Sequence, residues 1–128
     1  MNLLIDTQTF LWWASGSDRL SPRASGLIAD PSSRVLVSVA SAWEIALKAS
    51  AGRLELEAPA EDYVPGRLRR HGFEALPVGL DHALRAEALP RHHADPFDRL
   101  IVAQGQLEGL PIVTADPRLG LYDVEVIW

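Results

Sequence analysis

The sequence predicts a three-layer α/β/α fold with a central, mostly parallel sheet of about five strands. Five short apolar runs have the length of strands, at residues 3–5, 35–38, 73–78, 112–114 and 124–128. Six stretches with helical character alternate with them, at residues 7–15, 21–29, 39–51, 61–71, 81–89 and 96–108. Strands that alternate with helices indicate βαβ units, whose parallel sheet is covered by helices on both faces.

Capping residues mark several of the boundaries between these elements. Asp6 separates the first strand from the first helix, and Asp is a favoured N-cap. Asp95 and Pro96 open the last helix in the same way, with proline at a position where its missing N–H costs nothing. Gly109 follows that helix as a C-cap. The elements therefore follow one another from end to end of the chain.

Length and composition set further bounds. The chain has 128 residues, 48% of them hydrophobic, which suits one domain over residues 1–128 with a single core. The absence of cysteine excludes disulfides and thiolate metal sites. The first residues lead straight into a strand without a basic segment, and no apolar run approaches the ~20 residues that span a bilayer. We therefore expect a soluble cytoplasmic protein.

Four acidic residues, Asp6, Glu44, Asp98 and Asp116, are expected to meet at one edge of the sheet. Asp6 and Asp116 follow strands, whereas Glu44 and Asp98 lie near the starts of helices. In a right-handed βαβ unit the helix runs antiparallel to its strands, so helix starts lie near the carboxyl ends of strands. That edge is where open α/β folds bind ligands.

Acidic side chains at one place repel each other unless a positive charge lies among them. At a separation of about 4 Å and an effective dielectric of about 20, two like charges repel by about 4 kcal/mol. A divalent cation removes this repulsion. The spacing of the four acids therefore makes the chain a candidate metal-dependent enzyme.

Net charge does not exclude a nucleic-acid substrate. The total of −5, from 17 acidic and 12 basic side chains, argues against binding nucleic acid through charge alone. If the four acids and Asp95 share one metal-filled pocket, however, the remaining charges balance. All basic residues but one are arginine, whose planar guanidinium matches phosphate.

Each acid also has a purely structural interpretation. Asp6, Asp95 and Asp116 could be N-caps, and the dipole of the last helix favours Asp98 in its first turn. We assign Asp95 mainly to capping. Four independent caps would have no reason to share one edge, so the group as a whole favours function.

Glu44 is the acid that is hardest to explain structurally. It could close a capping box with Ser41, or pair with Lys48 one helical turn later. Its neighbours in the chain are apolar on nearly every face, so its carboxylate is expected to be partly buried. A buried carboxylate is costly unless it is paired or bound to metal. We therefore favour a functional Glu44, with Lys48 contributing to its orientation.

Four segments contain the acids and their neighbours: LLIDT at 3–7, SVASAWEIALK at 38–48, HADPFDRLIVAQ at 93–104 and VTAD at 113–116. With these segments the chain resembles the PIN-domain ribonucleases, in particular the VapC-type toxins of bacterial type II toxin–antitoxin pairs. Together the four segments extend over nearly the whole chain. The chain departs from this subgroup at Gln8, where histidine is frequent, and this position is not one of the acids.

The resemblance implies a PIN-like fold and cleavage of RNA that depends on Mg²⁺ or Mn²⁺. Asp6, Glu44, Asp98 and Asp116 would be the catalytic, metal-binding acids, with Asp95 beside them. Mg²⁺ prefers carboxylate oxygens, and a metal-bound water of lowered pKa would attack the phosphorus. The family also implies homodimers and inhibition by a small cognate antitoxin protein in the active-site groove. An exposed Trp12 or Trp13 would suit such an interface.

Other residues receive weaker assignments from the sequence. Arg91, Arg99 and Arg118 are close in sequence to the acids and are our candidates for contacts with the RNA backbone. Thr7 and Thr114 could hydrogen-bond the metal ligands or a phosphate. His92 and His93 are adjacent and therefore point apart in regular structure, so we expect a surface loop there rather than a metal site.

Two rival interpretations remain open at this stage. The first is a phosphoaspartate protein, either a phosphatase or a receiver-like domain, with Asp6 as nucleophile. In it Gln8 stands where the phosphatase motif has its second acid, and Lys48, the one lysine, lies inside a helix. The second is an RNA-binding module that keeps the fold without catalysis, which an intact set of four acids disfavours.

Overall fold

The computed structural model describes all residues of the protein, Met1–Trp128, and contains a five-stranded sheet. Its strands are β1 (Asn2–Ile5), β2 (Arg34–Ser38), β3 (Glu74–Leu76), β4 (Ile112–Val113) and β5 (Val126–Ile127). Their spatial order is β3-β2-β1-β4-β5, and every neighbouring pair is parallel. The predicted α/β class and parallel sheet are therefore confirmed.

Six helices and a 3₁₀ turn connect the strands. They are α1 (Thr7–Ser15), α2 (Pro22–Ala29), α3 (Val39–Ser50), α4 (Ala60–His71), α5 (Leu80–Ala88), α6 (Pro96–Glu108) and the 3₁₀ turn Pro117–Leu121. The predicted helices begin and end within two residues of these bounds. None of the helices has the length and apolar composition that crossing a bilayer requires.

Two apolar cores on opposite faces of the sheet give the protein its three layers. Leu3 and Ile5 of β1 pack against the first four helices, through Phe10, Ala24, Ile28, Ile45 and Val64. Leu4 points to the other face, because successive side chains of a strand alternate. There it packs with Leu36 against α6 and the residue that follows α5, through Ile101, Val102 and Leu89.

The outer strands are shorter than the apolar runs that predict them. The run at 73–78 pairs with its neighbour over Glu74–Leu76 alone. Pro77 follows directly, and a residue without an N–H cannot extend the ladder. In the run at 124–128, Val126 and Ile127 form β5.

The carboxyl ends of the central strands lie level with one another at one edge of the sheet. Ile5 at the end of β1 is in register with Val37 of β2 on one side and with Val113 of β4 on the other. The chain leaves β1 towards β2 and returns later to β4 on the opposite side, so β1 and β4 flank a topological switch point. Ligands of open α/β sheets bind outside the carboxyl ends of the strands at such a point.

Candidate active site

A cleft of about 500 Å³ opens at this carboxyl edge of the sheet. Its charged lining consists of Asp6, Glu44, Asp95, Asp98 and Asp116, together with the basic side chains of Lys48 and Arg53. The structure thus brings the four predicted acids into one cleft, although they come from four separate parts of the chain. Asp95, which we assigned to capping, lies on the same wall.

Asp6 is fixed by one hydrogen bond to each carboxylate oxygen. Oδ1 accepts the backbone N–H of Thr9 at 2.9 Å, which makes Asp6 the N-cap of α1, and Oδ2 accepts the hydroxyl of Thr114 at 2.6 Å. The residue is only 7% exposed. This burial raises the pKa of Asp6 above its ordinary value, against the lowering effect of the two hydrogen-bond donors. Asp6 is therefore both a cap and a member of the cleft.

Glu44 is buried and has a partner at each oxygen. Oε1 lies 2.6 Å from the hydroxyl of Thr7, and Oε2 lies 2.6 Å from Nζ of Lys48. The expected contribution of Lys48 to the orientation of Glu44 agrees with this pair. The alternative of a capping box with Ser41 does not apply, because α3 begins three residues earlier than that box requires, with Ser38 as its N-cap.

Asp98 lies in the first turn of α6, three residues after Asp95. Asp95 caps the helix, since its Oδ1 accepts the backbone N–H groups of Phe97 at 2.8 Å and of Asp98 at 3.1 Å. Burial, followed by the charge of Asp95, raises the pKa of Asp98 to about 6. Asp6 adds to this effect, which indicates that the carboxylates repel one another across the cleft.

Asp116 is the least buried of the four acids and has its own cationic partner. Its side chain caps the 3₁₀ turn and also forms a bidentate pair with the guanidinium of Arg118, with N–O distances of 2.9 and 3.1 Å. The hydrogen bonds from Arg118 hold the pKa of Asp116 below its ordinary value. Asp116 therefore remains ionised at the mouth of the cleft.

His93 lies in a loop, as expected, but the prediction that it lies on the surface is wrong. His92 is exposed, as expected for a surface loop, but His93 is only 8% exposed. Its Nε2 lies 2.8 Å from Oδ2 of Asp98 and 3.5 Å from Oδ2 of Asp116. The three side chains could together hold a metal ion. No pattern in the sequence marks this position, because it depends on how the chain folds back before α6, where the N–H of Asp95 lies 3.4 Å from Nδ1 of His93.

Arg99 is not placed to contact a substrate, contrary to our expectation. It is only 3% exposed, and its guanidinium lies within 3.4 Å of the hydroxyl of Tyr122. The same guanidinium donates to the main-chain carbonyls of Ala86, Glu87, Leu89, Pro90 and His93. Arg99 therefore anchors the segment between α5 and α6, including the residue that contacts Asp98.

Of the other residues that we expect to contact the substrate or the acids, only some lie at the cleft. Arg91 is exposed, pairs with Glu87 and does not line the cleft. Arg118 stays beside Asp116. Thr7 and Thr114 hydrogen-bond acids of the cleft, one bonding Glu44 and the other Asp6.

The donor set of the cleft suits a hard divalent cation. Its acids offer carboxylate oxygens, which are the ligands that Mg²⁺ and Mn²⁺ accept readily. Glu44 and Asp116 already have cationic partners, whereas Asp6 and Asp98 have none besides the imidazole near Asp98. Burial raises the pKa of both Asp6 and Asp98, and the charges of neighbouring acids add to the rise. A cation in the cleft would favour the ionised form of both.

Comparison with known proteins agrees with this arrangement. The profile of the PIN domain matches residues 3–125. Ribonuclease VapC16 of Mycobacterium tuberculosis is 42% identical over 57 residues, which are 44% of this chain. The matched region is only 39% of that relative's length.

Several solved structures share the fold over nearly their whole length. A toxin–antitoxin complex from Klebsiella pneumoniae has a TM-score of 0.66 at 21% identity, covering 98% of this chain and 96% of that one. VapBC2 from Rickettsia felis, bound to a DNA fragment from its promoter, has a TM-score of 0.70 at 11% identity, covering 99% and 98%. VapBC-5 from Mycobacterium tuberculosis has a TM-score of 0.63 at 20% identity, covering 98% and 97%. From the match over residues 3–125, we conclude that the chain belongs to the PIN domain family.

Proposed function

We propose that the protein is a divalent-metal-dependent endoribonuclease and the toxin of a type II toxin–antitoxin pair. The observation that carries this proposal is the convergence of Asp6, Glu44, Asp98 and Asp116 on one cleft, with the pKa of Asp98 raised to about 6. The names of the relatives, a ribonuclease and toxin–antitoxin complexes, support the substrate class and the biological role.

The four acids would hold Mg²⁺ or Mn²⁺ in this proposal. Such an ion would supply a bound water of lowered pKa as nucleophile and would stabilise negative charge on the phosphate. The surrounding side chains keep the acids in place: Thr114 holds Asp6, and Thr7 with Lys48 holds Glu44. Because these partners are themselves buried or half-buried, the carboxylates need little rearrangement to bind a cation.

His93 and Asp95 support the acids from one side of the cleft. The imidazole of His93 stays within hydrogen-bond reach of Asp98, and Asp95 fixes the turn from which Asp98 projects. We assign neither residue to direct catalysis. Asp95 remains beside the proposed metal site as a cap.

The partner surfaces in this proposal differ from those expected from sequence. Trp12 packs against Trp128 and Trp13 against Phe73, so neither is fully exposed. The exposed tryptophan is Trp43, at 62%, and it forms an apolar stripe on α3 with Val39 and Leu47, each one helical turn away. We propose that a second copy of the chain covers this stripe, while an antitoxin blocks the cleft. In a cell, the same proposal places the protein in the cytoplasm with its RNA substrate.

The phosphoaspartate alternative has little support in the geometry. Gln8 lines the cleft where the phosphatase motif has its second acid, so the general acid of that reaction is missing. Lys48 bonds Glu44 rather than Asp6. A non-catalytic RNA-binding module would have the same cleft, so an experiment has to distinguish it from a nuclease.

Cleavage of a long single-stranded RNA by the purified protein tests the proposal. The wild type should cleave with Mg²⁺ or Mn²⁺, stop on chelation, and lose at least 100-fold in rate as Asp98→Asn, since catalytic charge is removed. Asp18→Asn makes the same chemical change at an exposed position and should behave like the wild type. Equal cleavage by Asp98→Asn would indicate a contaminating nuclease, and binding without cleavage would favour the RNA-binding module.

A further inference from the structure

The cleft contains two basic side chains, and both come from the end of α3. Lys48 lies in the last turn of the helix, and Arg53 follows the helix after a sharp turn. The same cleft is lined by the acids on the sheet edge and on α6, and by Glu44, which bonds Lys48. The cleft therefore holds positive charge beside its acids.

The backbone at the end of α3 brings the two basic residues together. Gly52 has a φ of +71°, and its N–H donates to the carbonyl of Ala49 at 3.1 Å. The N–H of Arg53 donates to the carbonyl of Lys48 at 2.9 Å. These two bonds form a Schellman motif, which places the residue after the glycine close to the third residue from the helix end.

In a Schellman motif, the residues at the positions of Lys48 and Arg53 frequently make an apolar contact with each other. Here both residues are cations, so the motif brings like charges together instead. A cation in the last turn of a helix is stabilised by the helix dipole, which explains Lys48 without any ligand. Arg53 lies beyond the last turn, so this explanation does not extend to it.

The two cations differ in how their side chains are paired, but both reach the cleft. One donor of Lys48 bonds Glu44, and its side chain remains 38% exposed in the cleft. The guanidinium of Arg53, an exposed residue, has no hydrogen-bond or ion-pair partner. Four other surface arginines are also unpaired, but of these five only Arg53 lines the cleft. An unpaired arginine beside a lysine in a cleft offers donors to an anion.

We propose that Lys48 and Arg53 form a phosphate-binding subsite that contacts the RNA backbone beside the bond to be cleaved. This inference rests on the proposed function, because it uses the acids of the cleft as the place of reaction. RNA is favoured over an acidic protein segment for that reason: a reacting phosphate has to enter this cleft, and its neighbours along the strand then need positive charge. The subsite replaces Arg99 and Arg91 as the expected backbone contacts.

The test measures RNA affinity at several salt concentrations, using a fluorescent single-stranded RNA of mixed sequence. All proteins carry Asp98→Asn so that the RNA stays intact while Mg²⁺ is present. Arg53→Gln should bind about tenfold more weakly, as expected for one lost charge-assisted hydrogen bond. It should also reduce the slope of log affinity against log salt by about 0.7, the value for one phosphate contact on a single strand. Lys48→Gln should reduce the slope by a similar amount.

Controls separate a phosphate contact from a structural role. Arg23→Gln removes an exposed arginine on α2, away from the cleft, and should leave affinity and slope unchanged. Arg53→Lys keeps the charge and should restore most of the slope. In the cleaving protein, Arg53→Gln should raise KM about tenfold with kcat within twofold, and its affinity for Mn²⁺ should match the wild type.

The outcomes distinguish this subsite from the proposed function. Metal-dependent cleavage by the wild type with an unchanged slope for Arg53→Gln would overturn the subsite alone. A reduced slope without any cleavage by the wild type would support the subsite and overturn the nuclease. If Arg53→Gln weakened only the complex with an acidic antitoxin peptide, the cations would belong to a protein partner and the RNA subsite would be wrong.

Discussion

The hydroxyl of Thr114 donates a 2.6 Å hydrogen bond to Oδ2 of Asp6 and so joins residues 108 positions apart in the chain. Both residues follow strands that end level with each other, at the switch point of the sheet. The bond satisfies one oxygen of a buried carboxylate and leaves the residue in the lining of the cleft. The fold and the proposed metal site therefore depend on the same contact.

Replacing Thr114 by valine should weaken both the fold and the proposed metal site. The Thr114→Val variant keeps the shape but removes the donor from a buried carboxylate, which should cost about 1–3 kcal/mol of unfolding free energy in urea. The pKa of Asp6 should rise further, because the bond from Thr114 lowers it. Thr114→Ser retains the hydroxyl and serves as the control. Wild-type stability in Thr114→Val would mean that the bond contributes little.

Arg99 should be a stability residue rather than a substrate contact. Arg99→Met leaves several buried main-chain carbonyls without donors, so we expect a loss of at least about 3 kcal/mol of unfolding free energy. Arg99→Lys should not rescue the protein, because an ammonium cannot reproduce the guanidinium fork. Arg91→Met, at an exposed ion pair, should change stability little. A folded Arg99→Met with wild-type stability and weakened RNA binding would reverse this assignment.

The Lys48–Glu44 pair can be tested as a double-mutant cycle. Lys48→Met leaves a buried carboxylate unpaired and should cost about 1–2 kcal/mol, a value reduced by the partial exposure of the lysine. Glu44→Gln combined with Lys48→Met should recover most of that stability without recovering RNA cleavage. Additive effects in chemical denaturation would show that the two side chains do not interact.

The raised pKa of Asp98 predicts how stability depends on pH. The folded protein holds this proton up to about pH 6, whereas the unfolded chain releases it near 3.8. Without metal, stability should therefore fall as the pH rises through that window, because the folded protein retains the proton more tightly. Added Mg²⁺ competes with the proton, so its stabilising effect should appear as the pH passes about 6.

Melting temperatures measured across this pH range, with and without MgCl₂, check the prediction. Asp98→Asn has no proton to release and should show a weaker fall and little stabilisation by Mg²⁺. Asp18→Asn, an exposed control, should follow the wild type. The same pH profile in the wild type and in Asp98→Asn would assign the dependence to another group.

Much of the fold could be predicted because apolar runs and helix caps are local signals. The four acids could be predicted because parallel topology sends strand ends and helix starts to one edge. His93 could not, since its position depends on how the chain folds back over the cap at Asp95. Arg99 was misjudged because a buried guanidinium that bonds main-chain carbonyls leaves no pattern in the sequence.

On the sequence alone, Arg53 was also missed as a basic side chain of the cleft, for a related reason. Sequence proximity to the acids selected Arg91 and Arg99, whereas the cleft is lined by Arg53, which is distant in sequence from most of the acids. Its placement depends on the left-handed glycine that ends α3. At such a helix end, the conformation of a single glycine decides where the next side chain lies. The contacts of that side chain can therefore be found only from the structure.

Anomalous diffraction from crystals of the protein soaked in Mn²⁺ locates any divalent-cation site in the molecule. We expect a Mn²⁺ peak within coordination distance of Asp6, Glu44, Asp98 and Asp116, and no such peak in crystals of Asp98→Asn. A second group, Asp81, His82 and Glu108, also has ligand atoms close enough together for a metal. A peak at that group alone, or no peak in the cleft, would contradict the assignment of the four acids to a metal site.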